Sequence, residues 1–252
     1  MIYSSPPADW KELQSFVCEI FNECGYMTES PKTISTVRSE ALEVDVYVKD
    51  NSVPRKTIIC ECKYWDNKIP QSVVHAFRAQ ISNIGANMGL LISKKGFQAG
   101  AFSSAKYSNI KLLTWNEFET IYETIWYKKY FLAQVDQISD AFIEYNEPIN
   151  SRVFRKADAL SENMRQKFIN LRKRHFAMLI LCSYLSASYY TAYIPDQTKN
   201  MTIHNSTILL LPLINNEMFN NDEIPNEIKR ASSYKQLLSS IGAICNYCCI
   251  RI

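Results

Sequence analysis

Asp45, Glu61 and Lys63 are the residues whose types and placement suggest chemistry. They lie in two apolar runs, EVDVYV at 43–48 and TIICECK at 57–63, and each run carries charge in its interior. A strand sends alternate side chains to opposite faces. On the second run Ile58, Cys60 and Cys62 therefore share one face, and Ile59, Glu61 and Lys63 share the other. On the first run Glu43, Asp45 and Tyr47 share a face, opposite Val44, Val46 and Val48. If the runs pair as a hairpin, Asp45 approaches Glu61 and Lys63. Two carboxylates and an ammonium then converge, the minimal set for holding a hard divalent cation beside a scissile phosphate. Glu43 is an additional acid on the Asp45 face. The bland alternative is a surface ion-pair cluster worth about 0–1 kcal/mol. That alternative does not account for charges embedded in strongly apolar strands.

The elements that must position these residues are legible on either side. Asp9 is a capping residue for a helix from near Trp10, with Leu13, Phe16, Val17, Ile20 and Phe21 at helical spacing and Cys24-Gly25 at its end. A polar, β-branched stretch follows from Thr28 to Arg38. The strands are expected at about 43–49 and 56–63, with KDNSVPRK as the hairpin loop. Pro70 opens a helix from Gln71 to Ile84, and Gly85 is a plausible C-cap. MGLLIS reads as a short buried strand, KKGFQAGA as a turn into a short helix, and IKLLTW as a further strand. A long amphipathic helix begins at Thr114 or Asn116 and runs through Trp126. Hairpin strands followed by β-α-β units predict an α/β fold, a mixed sheet with helices on both faces. This first region is complete by about residue 130, and a mostly helical accessory region fills 131–252.

Composition sets the outer bounds. The chain has 252 residues, 47% of them hydrophobic and 21% charged, which is ample for a packed core and excludes a disordered chain. Net charge is only +3, so nucleic-acid binding would need a local patch. Eight scattered cysteines and a polar N-terminus with no signal-peptide pattern fit a reducing, cytoplasmic setting. The uncharged stretch from Ala177 to Ile194 approaches the length of a membrane span, but its serines, threonine and tyrosines favour a buried helix or helix-plus-strand. TILLLPLI within 200–216 reads as a short buried strand or helix, 218–230 as loop, and the last segment as a helix ending in a cysteine-rich tail.

Other residues have both a chemical and a structural reading. Lys94 and Lys95 in the KKGF turn suit a DNA backbone or are simply solvated, while Phe97 packs inward. Gln71 sits where free backbone N–H groups at a helix start can bind phosphate. His75 is in reach of phosphate or a metal-bound water, although a lone helical histidine is more often a partly exposed polar residue. Tyr64 and Trp65 shape the cleft, stack on bases, or pack. The basic run RKRH at 172–175 touches DNA or forms a solvated helix face. Cys245, Cys248 and Cys249 give a CxxCC tail with no second pair of matching spacing for zinc; His204 and Cys182 are the remaining conceivable ligands.

Taken together, the opening helix ending NECGY, then EVDVYV, IICECKYW, SVVHAFRAQISNIGANMGLLISKKGFQAGA and KLLTW, give a chain that resembles the Mrr-like branch of restriction endonucleases, within the PD-(D/E)xK nuclease superfamily. The resemblance covers roughly residues 10–125. It implies a restriction-endonuclease-like fold and Mg²⁺-dependent hydrolysis of DNA phosphodiester bonds, with Mn²⁺ able to substitute. By that likeness Asp45 and Glu61 are metal ligands, the Cys62 carbonyl is a further ligand, and Lys63 orients the attacking water. It also implies a bacterial restriction or anti-phage role, and a homodimer or a defence-system partner protein, since a double-strand break needs two active sites. Two positions depart from the family pattern. The acid often found on the opening helix is Gln14 here, with Glu12 and Glu19 nearby, and the glutamine frequent before Cys-Lys is Glu61. The competing expectation is a catalytically silent nuclease fold that binds or senses DNA.

Overall fold

The structure, a computed structural model, describes residues 1–35, 41–147, 150–186 and 208–251. The chain forms two compact units: Ser5–Trp126, and Tyr127–Ile252 together with Met1–Ser4.

The first unit opens with helix α1 (Trp10–Glu23). Asp9 caps it by accepting the Glu12 N–H at 2.8 Å, and the Glu12 carboxylate in turn accepts the Ala8 N–H. Strands β1 (Met27–Glu29), β2 (Lys32–Ser35), β3 (Ala41–Val44), β4 (Val46–Asp50) and β5 (Lys56–Lys63) follow. Helix α2 (Gln71–Ile84) then starts after Pro70 and ends on Gly85, whose φ of 73° is the left-handed cap that glycine adopts without strain. Next come β6 (Met88–Ser93), α3 (Ala99–Ala105), β7 (Ile110–Thr114) and α4 (Trp115–Trp126). Thr114 and Glu117 close a reciprocal cap at the start of α4: Glu117 accepts the Thr114 N–H at 2.7 Å, and Thr114 Oγ1 accepts the Glu117 N–H at 3.3 Å.

β1, β4, β5, β6 and β7 form one mixed sheet in that order. β4 is antiparallel to β5, and β5, β6 and β7 run parallel. Helices cover both faces, as the pattern predicted. Ile59 and Leu91 pack with Val74, Phe77 and Ile81 of α2 and Ala101 of α3. The opposite face is covered by α1 and α4, joined by Phe21 and Phe118 at 5.5 Å between ring centroids.

The two-strand reading needs one correction. The run 43–49 is not a single strand. It breaks at Asp45, and β3 pairs with β2 in a separate two-stranded sheet while β4 stays in the main one. Strict alternation put Val44 opposite Tyr47, yet Val44 packs in the same cluster as Ile59, with Tyr47 against it. β1 and β2, three and four residues long, were not foreseen as strands within the polar stretch; Val37 and Arg38 lie outside the described residues.

The second unit is mostly helical. After a π-helical turn (Tyr127–Phe131) come α5 (Leu132–Asn146), α6 (Ser151–Asp158), α7 (Glu162–Arg174) and α8 (Phe176–Leu185). α8 is the described part of the uncharged stretch; residues 187–194 and His204 lie outside the described residues. Within TILLLPLI the described part is irregular chain with one 3₁₀ turn (Leu213–Asn215) directly after Pro212, whose missing N–H prevents a regular element from running through it. Loop-like 218–230 contains a short helix (Asn226–Lys229) after Pro225. The C-terminal helix (Tyr234–Arg251) buries Cys245 and Cys248. A thiol–thiol hydrogen bond with Cys182, followed by burial, pushes the Cys245 thiol well up. Among the described residues no helix is long and apolar enough to cross a membrane.

Candidate active site

The site forms where β4 gives out alongside β5. The ladder between them ends at Val46 opposite Cys60. One residue beyond that pair stand Asp45 on the β4 side and Glu61 on β5, and by alternation Glu61 shares the Ile59 face, the one that carries α2 and α3. Asp45 does not continue the ladder through its backbone. Its carboxylate accepts the Cys62 N–H at 2.7 Å, and its own carbonyl accepts the Ser30 Oγ–H at 2.6 Å. Two bonds thus pin the bend, one on the side chain and one on the main chain.

The direction of that N–H matters. In a strand each residue points its N–H and C=O to the same edge. The Lys63 carbonyl accepts the Lys94 N–H at 3.1 Å, so Lys63 bonds toward β6. Cys62 points the other way, toward Asp45. Its carbonyl therefore lies on the edge that β4 has vacated, beside the Asp45 carboxylate. The Cys62 thiol is buried and pushed well up by that burial, so the main-chain oxygen and not the sulfur is the donor that suits a hard cation.

Glu61 and Lys63 stand side by side on β5, as alternation required, and form an ion pair. Their side chains are 15% and 24% exposed, so the pair is sheltered but open to solvent at one edge. Lys63 Nζ also lies 5.7 Å from the ring centre of Trp65, a residue 46% exposed at the rim. Burial, and next the nearby Glu61 charge, push the Asp45 carboxyl up to about 6; the Cys62 N–H and Lys63 pull against that rise, and Glu43 adds to it. Asp45 and Glu61 thus crowd negative charge that one lysine does not fully offset. A divalent cation fits such a donor set: two carboxylates and a main-chain carbonyl, with water completing the shell. Among the described residues no three His, Cys, Asp or Glu side chains form a ready-made ligand group.

The remaining predicted residues are distributed around this centre. Glu43 is exposed on β3, opposite Thr33, and acts on Asp45 through its charge. Glu12 is engaged at the start of α1 through its bond to Ala8. Gln14 lines an open groove of about 420 Å³ with Lys11, Ser15, Cys18 and Ser30 among its walls, so it stands on the Ser30 side of the bend. Gln71 is the exposed first residue of α2, and a Cβ on Gly100 would meet its Oε1 at 2.9 Å, so it lies against α3. His75 is an exposed residue of α2 whose Nε2 is 3.2 Å from Ser104 Oγ on α3. Lys94 pairs with Asp66 at 2.7 Å and lies 4.2 Å from the Tyr64 ring centre. Lys95 is exposed, with its N–H bonded to Ser93 Oγ at 3.3 Å, and Phe97 is buried. Tyr64 donates to the Pro7 carbonyl at 3.0 Å, which anchors the strand exit.

Two contributors went unread in the sequence. Ser30 holds the Asp45 main chain, and Asp66 holds Lys94. Neither has a local signal, because each partner is 15 or more residues away and the contact exists only once the strands assemble.

Residues 7–122 match the profile of a family described as restriction endonuclease, of the Mrr catalytic type. No curated protein matches the chain in sequence. Among solved structures, one titled "Crystal Structure of Protein of Unknown Function AF1548" is 14% identical, covers 66% of this chain and 97% of its own, and superposes with a TM-score of 0.40. That likeness is too loose to argue from.

Proposed function

We propose that this chain, whose residues 7–122 match the restriction-endonuclease family profile, is a metal-dependent endodeoxyribonuclease, using Mg²⁺ or Mn²⁺, with Asp45, Glu61 and Lys63 as its active-site side chains. The observation that carries the reading is the 2.7 Å bond from the Cys62 N–H to the Asp45 carboxylate, which fixes Asp45 beside Glu61 and the Cys62 carbonyl. In this reading Asp45, Glu61 and the Cys62 carbonyl hold the cation. What a bound divalent cation supplies is an acidified water and a polarised phosphate oxygen.

The chain's own residues do the rest. Asp45 is held in place by Cys62 and Ser30 before any substrate arrives, so little reorganisation is needed. Lys63 is kept near by Glu61. Its ammonium offers hydrogen bonds to an attacking water and offsets charge on the phosphate as the bond breaks. Lys94, Lys95 and the N-terminal turn of α2 at Gln71 lie on the chain segments next after β5 and β6, where backbone phosphates can be met. A restriction or anti-phage role, and pairing of two copies to cut both strands, belong to the same proposal and rest on the family.

The test uses supercoiled plasmid with the full chain in Mg²⁺, in Mn²⁺ and in EDTA. Nicked and linear DNA should appear with either cation and vanish with EDTA. Cutting that survives EDTA would contradict a metal-dependent site. Plasmid binding with no cutting in any condition would favour the catalytically silent, DNA-holding form of the fold.

A further inference from the structure

The second unit carries a strongly asymmetric charge. Residues 150–175 hold eight Arg and Lys against Asp158 and Glu162, a net of +6, while the whole 252-residue chain is +3. All other residues together are therefore net negative, by 3. This charge is not on a loose tail. α6 and α7 pack on each other around Val153, Ala157 and Phe168, a small core of their own.

Several of the cations are already committed. Arg152 pairs with Glu144, and Arg165 with Asp158 at 3.1 Å. Arg172 donates to the carbonyls of Asn146 and Glu147, with its guanidinium 4.5 Å from the Phe154 ring and 5.3 Å from the Phe168 ring. It fastens the end of α5 to α6 and α7 and is not offered to a partner. Five remain exposed: Arg155, Lys156, Lys167, Lys173 and Arg174, of which Arg155 Nε bonds the Ser151 carbonyl of its own helix at 3.3 Å and Lys156 Nζ lies 5.9 Å from the Tyr145 ring centre. Among the described residues, none of these five has a carboxylate within ion-pair distance. Lys167 and Arg174, seven residues apart, share one side of α7. Like charges at this density repel one another and destabilise a helical hairpin unless something else benefits.

We propose that the α6–α7 hairpin is a second nucleic-acid surface, one that grips the phosphate backbone of duplex DNA without reading sequence. The proposal rests on the nuclease reading only for the choice of polyanion. The side chains supply point charges on two short, fixed helices, and this arrangement suits a regular array of phosphates. Residues 131–252 thereby gain a role, retaining DNA electrostatically while the first unit acts on it.

The experiment measures binding of the full chain to a labelled 30-bp duplex by fluorescence anisotropy, in EDTA, across a salt series. The wild type is compared with a variant carrying R155Q, K156Q, K167Q, K173Q and R174Q, and with a charge-preserving K156R, K167R, K173R variant. Each lost phosphate contact should lower the slope of log K against log salt by about 0.9. The neutralised variant should lose about 3 or more from the slope on any sequence, and the Arg variant should keep the wild-type slope. A loss below about 2, in a variant whose circular dichroism and melting are unchanged, overturns the proposal, as does absence of duplex binding by the wild type. Anionic vesicle binding that depends on these five residues, with an unchanged duplex slope, would assign the surface to membrane instead. Because binding is read without metal, a chain that binds by this surface but never cuts would sink the nuclease reading alone. A chain that cuts with an unchanged slope would sink this one alone.

Discussion

Asp45 carries a cost set by burial and by the Glu61 charge beside it. Burial and the Glu61 charge raise its carboxyl to about 6 in the folded chain, against 3.8 ordinarily. The folded state therefore keeps this proton between pH 3.8 and about 6, where the unfolded chain has released it, and stability falls as pH rises through that window. Above it the penalty is fully in place. Asp45→Asn removes the charge and keeps an oxygen to accept the Cys62 N–H. In urea unfolding at pH 7.5 without divalent cations, this variant should gain about 1 kcal/mol, a value already reduced for the partial exposure of the site. At pH 4 the gain should disappear. An unchanged stability at pH 7.5 would contradict the crowding of Asp45 and Glu61. A site that is costly without a cation, and whose main effect on stability is negative, is the pattern expected of a functional carboxylate.

Between elements, the decisive feature is close approach of α2 to the sheet. A Cβ on Gly89 of β6 would run into Ile81 Cδ1 and sit 2.8 Å from Phe77 Cε1, both on α2. Gly89→Ala should therefore overpack this layer, cost about 2 kcal/mol in thermal or chemical unfolding, and weaken DNA cutting by displacing α2. A variant as stable as wild type would show that the layer has slack. Much of this layer was readable in sequence. Asp9, Pro70 and Gly85 mark helix ends by local chemistry, and the Glu61/Lys63 face follows from alternation alone. The bend at Asp45 was not readable. It depends on a side chain taking the place of a backbone partner across the sheet, and on Ser30 from another loop. Alternation fails where a side chain interrupts the ladder, and here that is at the site itself. β1 and β2 were missed for the related reason that such short strands are stabilised by their partners rather than by their own composition.

Across the chain as a whole, the two units differ in character. Ser5–Trp126 contains the segment that matches the restriction-endonuclease profile, and the other unit holds an excess of positive charge on one helical hairpin. The mostly helical character of the region after residue 130 was legible in the sequence, and its basic run at 172–175 was visible. What the sequence did not separate was the available cations from the committed ones: of RKRH, Arg172 is spent on carbonyls and aromatic rings, and burial holds His175 below its ordinary range. Everything proposed for the first unit depends on Asp45, Glu61 and Lys63 cutting DNA together. The initial rate of plasmid nicking in Mg²⁺, measured for wild type, Glu61→Ala and Lys63→Ala and with each protein checked for folding, probes that dependence without intermediaries. Loss of one electrostatic or ligating group should slow the rate by about 100-fold or more in each variant. Equal nicking by all three proteins would contradict the assignment.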